Sequence, residues 1–358
     1  MTTFWKKKQF WGALIGLVLL GYCVKDIRPS EIKLLLQRVD FYFLLAALLT
    51  SFLFVAFKAM RWRVLVSQQR PITISRAVTL YSVGQVLGIV MPALTGQVGR
   101  VVLFARKESL RKTFVFSTLV MELLFDGVSL IIFMFITSLA FAFPSQYRYL
   151  SFVVAGITVA ALIILYLVLN FQEGLEQFSR RRLRNRWPGL YITCRKFIRS
   201  FTKGIEMLRS SQHMVVTMIL SLAIWTAHML VVWFLMLSFG LKLPFAAAAV
   251  VMIINTIVLM VPITPGNAGT FEVAVSTSLA AFSVGRSDAV LFALALHLMD
   301  LAPVFVFGYL FLYMEKMSLR DIKSGNEEEI IIDRIDEDGS FIEGDEESEE
   351  EREEEERV

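Results

Sequence analysis

Seven long stretches of this chain are apolar, several of them over the length a membrane helix needs. They are Phe10 to Val24, Phe41 to Met60, Thr113 to Phe143, Leu150 to Asn170, Met214 to Phe239, Ala246 to Val261 and Asp288 to Met314. An α-helix rises about 1.5 Å per residue, so about 20 apolar residues cross the ~30 Å of hydrocarbon in a bilayer. Several of the runs reach that length. A soluble fold that buried all of them would need more polar surface than a chain 56% hydrophobic with a mean hydropathy of +0.62 supplies. The expected fold is an all-α polytopic membrane protein.

The charges fix an orientation. Lys and Arg cluster at Lys6 to Lys8, Arg61 to Arg76, Arg100 to Lys112, Arg180 to Arg209 and Lys316 to Lys323, while the connections around Pro144 to Tyr149 and Lys242 to Pro244 carry few charges. Basic loops stay in the cytoplasm. With every basic cluster inside, residues 77 to 95 must enter and leave on the inner side, and residues 246 to 284 on the outer side. The result is about six full spans plus two re-entrant, broken helical hairpins, with both termini cytoplasmic and the chain in the inner membrane as a multi-pass protein. Lys25 to Asp40 falls outside, where its mixed signs are tolerated. The N-terminal Lys6, Lys7 and Lys8 precede an apolar stretch, yet no small-residue cleavage site follows, so the first helix is read as retained.

The net charge of +4 divides unevenly. Residues 327 to 358 hold 18 acidic and 3 basic side chains, which leaves 14 and 33 in residues 1 to 326. A basic membrane body thus carries an acidic tail, expected to be disordered. The expected organisation is an N-terminal helix and outer loop (1–40), a first membrane half (41–170), a basic interfacial loop (171–213), a second membrane half (214–318) and the tail (319–358). The basic loop suits anionic inner-leaflet lipid, and no nucleic-acid partner is needed to explain it.

The two dipping segments share a pattern. One reads Pro92-Ala93-Leu94-Thr95-Gly96-Gln97-Val98-Gly99 and the other Pro262-Ile263-Thr264-Pro265-Gly266-Asn267-Ala268-Gly269; both are Pro-x-x-x-Gly-amide-x-Gly. Proline removes a backbone donor and glycine permits unusual dihedrals, so each motif should break its helix. Broken backbone at membrane depth survives inside protein or beside a watery cavity. Two such breaks entered from opposite sides are the sign of an inverted repeat with a substrate site where they meet. The amides of Gln97 and Asn267 and the helix starts beyond the glycines are candidate contacts for a headgroup phosphate. The plainer alternative is a pair of turns whose Gly and Pro serve packing.

Ionisable residues within spans are costly and tend to face a partner or a cavity. Glu122 and Asp126 lie one turn apart on one face. His297 and Asp300 share a face of the last span. Glu272 stands three residues past Gly269, either as a helix cap or as a site residue. Arg100 and Arg106 follow the first motif; Arg100 is expected to pair with Glu122 or Asp126, or to meet a lipid phosphate. Arg61, Trp62 and Arg63 read as an interfacial anchor and His228 as a packing residue. The candidate substrate-binding set is therefore Pro92, Gly96, Gln97, Gly99, Arg100, Arg106, Glu122, Asp126, Pro262, Pro265, Gly266, Asn267, Gly269, Glu272, His297 and Asp300. Three histidines in separate segments and two cysteines, Cys23 and Cys194, offer no metal spacing, no disulfide and no catalytic set, so neither a cofactor nor a catalytic residue is expected.

Arg61-Trp62-Arg63, the stretch from Pro92 to Arg100, the pair Glu122 and Asp126, the stretch Pro262 to Glu272, and Pro303 with Gly308 together resemble the lysylphosphatidylglycerol synthase transmembrane-region family of flippase-like membrane proteins. The resemblance spans roughly residues 10 to 315, and its most specific part is Pro-x-x-Pro-Gly-x-x-Gly-x-x-Glu. It implies a membrane protein that translocates or handles a phospholipid or lipid-linked glycan. Some relatives are fused to a soluble aminoacyl-transferase domain, which is not expected here. Many have Gly-Gly where this chain has Gly266-Asn267, and an arginine early in the last span where it has His297 and Asp300. The expected partners are anionic or polyprenyl-linked membrane lipids. A lipid-headgroup transferase and a non-transporting partner protein are the competing expectations.

Overall fold

The computed structural model describes residues 14–25, 29–67, 69–90, 94–140, 211–259 and 264–315, with scattered positions between 149 and 167. The chain divides after Glu315, and the unit Met1–Glu315 holds everything that follows. The described helices are α1 (Leu14–Val24), α2 (Pro29–Arg38), α3 (Phe41–Val66), α4 (Ile74–Val90), α5 (Leu94–Glu108), α6 (Lys112–Ala140), α7 (Ser211–Ser238), α8 (Phe245–Leu259), α9 (Thr270–Ala280) and α10 (Arg286–Glu315). A 3₁₀ turn, Pro265–Asn267, links α8 to α9. No strand occurs among the described residues, so the protein is an all-α polytopic membrane protein, as expected. Of its helices, α3, α6, α7 and α10 are long and apolar enough to cross a bilayer. The expected spans starting at Phe10 and Leu150 fall partly outside the described residues, as do most of the basic loop and all of the acidic tail.

Helix α3 shows how the sequence builds a span. Asp40 caps it, its carboxylate accepting from the Tyr42 N–H at 2.9 Å. Phe41, Leu45, Leu49 and Leu53 recur every four residues and stay exposed, forming a stripe that faces lipid. Ala47, Ser51, Phe54, Val55, Ala59, Arg61 and Trp62 are buried on the other side. The exposed stripe is therefore apolar while the polar Ser51 and Arg61 are buried, the reverse of a soluble helix.

The two halves are built alike and inverted. The series α3–α4–α5–α6 is repeated by α7–α8–α9–α10, and α4 packs on α10 as α8 packs on α6. The first helices of the two series lie antiparallel. At one end the Asp40 N–H donates to the Ser238 carbonyl at 2.9 Å and the Ser238 hydroxyl donates to the Asp40 carbonyl at 3.0 Å. Toward the other end the Arg61 guanidinium donates to the Ser221 hydroxyl at 3.0 Å. Each hairpin follows the end of its own first helix, so the two hairpins enter from opposite sides.

The first hairpin closes on itself. Arg76, at the start of α4, donates to Glu108, at the end of α5, at 2.9 Å, and near the tip Gly96 sits so close to Gly88 that an added Cβ would lie 2.6 Å from the Gly88 Cα. Helices α4 and α8 have 17 and 15 residues. At ~1.5 Å per residue they reach ~26 and ~22 Å, short of a full crossing. Their tips meet: a Cβ on Gly266 would stand 3.2 Å from the Ile89 Cγ2. These are the two re-entrant segments read from the sequence.

At their glycines the motifs are not conformational copies, which corrects the expectation of a helix start just beyond the glycines in both. Helix α5 already begins at Leu94, so Gly96, Gln97 and Gly99 lie inside it, and Gly96 serves close packing on α4. In the second motif Gly266 (φ +58°), Asn267 (φ +57°) and Gly269 (φ +83°) turn the chain through left-handed conformations before α9 starts. Pro92 and Pro262 lie outside the described residues.

Candidate functional site

Two arginine–carboxylate bridges cross the first half. Arg100 on α5 donates both bonds from one nitrogen to the two oxygens of Glu122 on α6, at 2.8 and 2.9 Å. Both residues are buried, and the guanidinium also lies over the Tyr81 ring at 4.5 Å and the Phe104 ring at 5.1 Å. Of the partners expected for Arg100, the structure selects Glu122. Asp126, one turn on, takes a different cation. Arg61 donates to both its oxygens at 2.6 and 3.0 Å, and the Trp225 indole N–H adds a third bond at 3.2 Å. A fork of this kind fixes orientation as well as charge.

This overturns the reading of Arg61 and Trp62 as an interfacial anchor. Arg61 is 1% exposed and Trp62 fully buried, because Arg61 turns toward α6 and α7 and the Trp62 ring packs on Phe104 of α5. Only Arg63 behaves as expected of a helix end, donating from Nε to the Ile72 carbonyl.

The second half carries bridges between the equivalent helices, made of different chemistry. Glu272 on α9 faces His297 on α10, with Oε1 2.7 Å from Nδ1. The other carboxylate oxygen accepts the Gly269 N–H at 2.7 Å. His297 Nε2 reaches the Gly266 carbonyl at 3.0 Å, and its ring stacks on Phe271 at 4.3 Å. A carbonyl can only accept, so Nε2 carries a proton, and a single further proton lies between Nδ1 and Oε1. The pair is then imidazolium with carboxylate, or neutral imidazole with carboxylic acid; either way it is formally neutral. Thr264 and Thr270 complete the wiring: Thr264 donates to the Ala268 carbonyl at 2.8 Å and Thr270 to the Asn267 carbonyl at 2.9 Å. Since Glu272 already takes the Gly269 N–H, that donor is not open to a phosphate as the sequence expectation had it.

Asp300, on the same face as His297, turns to α7 instead. One of its oxygens lies 3.5 Å from His228 Nε2, within ion-pair range but not aligned as a hydrogen bond. His228 stacks on Phe54 at 4.7 Å. Each half thus links its re-entrant helix to its last span (Arg100–Glu122, Glu272–His297) and its first span to its last span (Arg61–Asp126, His228–Asp300).

Of the candidate residues, the structure brings Gly266, Gly269, Glu272 and His297 into one cluster, Arg100 and Glu122 into a second, and sets Asp126 and Asp300 at the centre against Arg61 and His228. Pro265 and Asn267 belong to the turn that His297 holds. Arg106 and Gln97 are exposed on α5 and join none of these. Sequence reasoning missed Arg61, His228 and Lys58. The sequence signal for Lys58 is a lone cation inside the apolar run from Phe41 to Met60.

The sequence profile described as lysylphosphatidylglycerol synthase TM region matches residues 9–308. The chain is also similar to the UPF0104 membrane protein PH1989 of Pyrococcus horikoshii, with 24% identity over 276 residues, which covers 72% of this chain and 82% of that protein. No solved structure matches.

Proposed function

Because the chain belongs to the lysylphosphatidylglycerol synthase TM region family, we propose that it moves a phospholipid or a lipid-linked glycan from one leaflet of the membrane to the other. The observation that carries this reading is the meeting of two hairpins that enter from opposite sides, with Gly266 against Ile89. In an inverted repeat, the contact between the repeats divides the two sides of the membrane, and rocking one half against the other exposes the centre to each side in turn. The groups near that contact suit a polar headgroup. Asp126 and Asp300 lie mid-span and keep 29% and 19% of their side-chain surface accessible. The apolar outer stripes let the acyl chains remain in lipid while the headgroup crosses between the halves.

We place the protein in the inner membrane with both termini cytoplasmic, on the distribution of its lysines and arginines. A transferase would need a nucleophile or general base left free to act. Among the described intramembrane carboxylates, Glu122, Asp126 and Glu272 are each held by a cationic or imidazole partner, which favours transport over headgroup chemistry.

The test joins the two tips. In a background with Cys23 and Cys194 replaced by alanine, Ile89→Cys and Gly266→Cys are combined and the protein is reconstituted into vesicles carrying headgroup-labelled phosphatidylglycerol or a labelled polyprenyl phosphate. Translocation should stop on oxidation and resume on reduction, so one preparation is its own folding control. Equal movement in both states, or no movement of either lipid by the parent protein, overturns the reading.

A further inference from the structure

Among the described residues, Lys58 is a cation within a membrane span that the bridges leave over. It lies on α3 one turn beyond Phe54 and three residues before Arg61, on the face turned to the interior. Arg61, Arg100 and Arg76 all meet carboxylates. Among the described residues no carboxylate comes within ion-pairing distance of the Lys58 ammonium, whose recorded contact is the Phe54 ring, 4.3 Å from Nζ to the centroid.

Its direction is informative. A lysine near the end of a span ordinarily snorkels toward the closer interface. Lys58 stands eight residues from the end of α3 at Val66, about 12 Å along the axis. Its ammonium instead lies over Phe54, one turn deeper. Side chains in a helix lean toward its N-terminus, and here that lean carries the charge inward, between two polar assemblies. On one side is the Arg61–Asp126 bridge, and on the other the stack of Phe54 on His228, with His228 facing Asp300. Asp126 is already occupied by a guanidinium fork and Asp300 faces an imidazole. Lys58 itself is only half-buried. An unpaired intramembrane cation is costly unless something meets it.

We propose that the Lys58 ammonium is the anion-binding group of the central site, and that its ligand is the phosphate of a lipid headgroup. This rests on the reading of the protein as a lipid carrier, and it names the substrate class: lipids that bear a phosphate, whatever stands beyond it. A compact ammonium suits this task, because it binds phosphate as a point charge and leaves the rest of the headgroup unread. Arg61 and Arg100, locked in bridges, hold the architecture; the lysine holds the cargo.

Lipid retention measures this directly, without transport. The full chain is purified in a neutral detergent, mixed with equal amounts of phosphatidylglycerol and of diacylglycerol with the same acyl chains, and the retained lipid is counted by native mass spectrometry. The parent protein should prefer the phosphate-bearing lipid. Lys58→Met should lose that preference by about tenfold or more, and Lys58→Arg should keep most of it. Excess inorganic phosphate in a parallel arm should displace little of the lipid; full displacement would mean that the site takes free phosphate, and the assignment to a lipid would be wrong. Lys58→Met that elutes as a single species and retains phosphatidylglycerol like the parent overturns the inference. So does a parent protein that prefers neither lipid. Lys58-dependent retention together with an absence of translocation in vesicles would uphold this site and sink the carrier reading, so the two fail separately.

Discussion

Replacing Gly269 by alanine probes the second motif with one methyl group. Gly269 has φ +83° and ψ −47°, a combination closed to ordinary L-residues. A side chain forced there costs about 1–3 kcal/mol in backbone strain. The methyl would also stand 2.5 Å from the Leu19 Cβ and 2.8 Å from the Gly16 carbonyl oxygen. Both are firm parts of α1, which must move away, and overpacking of this kind adds about 1–3 kcal/mol. Together these give a loss of about 2–6 kcal/mol, a large part of the ~5–15 kcal/mol by which folded proteins exceed their unfolded states. In detergent micelles, thermal unfolding followed by tryptophan fluorescence should shift down by about 3–9 °C. Gly285→Ala and Gly21→Ala are the controls: neither added methyl meets an atom within 4 Å, so Gly285→Ala should be near neutral and Gly21→Ala, within α1, neutral to slightly stabilising. If Gly269→Ala melts within about 2 °C of the parent, the close docking of α1 on this turn is wrong.

Glu122→Ala should destabilise by about 3–5 kcal/mol, because it strands the buried Arg100 guanidinium, while Glu122→Leu with Arg100→Met should recover most of that loss; denaturant titration of the three variants checks it, and an equal or larger loss in the double variant counts against a buried pair. Glu272→Gln keeps an acceptor for the Gly269 N–H and can donate to His297 Nδ1, so it should cost under about 1 kcal/mol, whereas Glu272→Ala should cost about 2–4 kcal/mol; equal effects of the two would show that the 2.7 Å contact to His297 is not a working hydrogen bond. Single cysteines at Arg106 and Lys242, in a background without Cys23 and Cys194, should react with a membrane-impermeant maleimide from opposite sides, because one follows the first hairpin and the other precedes the second. Labelling from the same side would contradict the inverted repeat.

Much of this architecture was legible in the chain. Length and apolarity gave the spans, the basic clusters gave the hairpins and their inversion, and the recurring Pro-x-x-x-Gly-amide-x-Gly marked their tips. Glu272 three residues beyond a glycine gave the cap. What the sequence could not disclose were partners distant along the chain. Arg61 and Asp126 are 65 positions apart, and an Arg-Trp-Arg at the end of an apolar run looks the same whether its face turns to headgroups or to another helix. Lys58 and His228 were hidden for a related reason: one polar residue scarcely disturbs the average of an apolar run, and its importance depends on which neighbours arrive. The conformational difference between the two motifs also escaped notice, since both obey one pattern while only the second adopts left-handed backbone.

The unequal bridges of the two halves bear on direction. In helix order and packing the halves repeat each other inverted, so on the transport reading proposed above, rocking one way and then the other would pass between related states. Their clasps are not images. One re-entrant helix is tied by a guanidinium to a carboxylate, the other by an imidazole that also grips the turn at Gly266. Two doors hung on different latches do not rest open equally often. On the transport function proposed above, such a carrier would have a preferred resting side before any energy source is considered, and exchanging the latches, rather than altering the proposed cargo site, is the change that would turn it around.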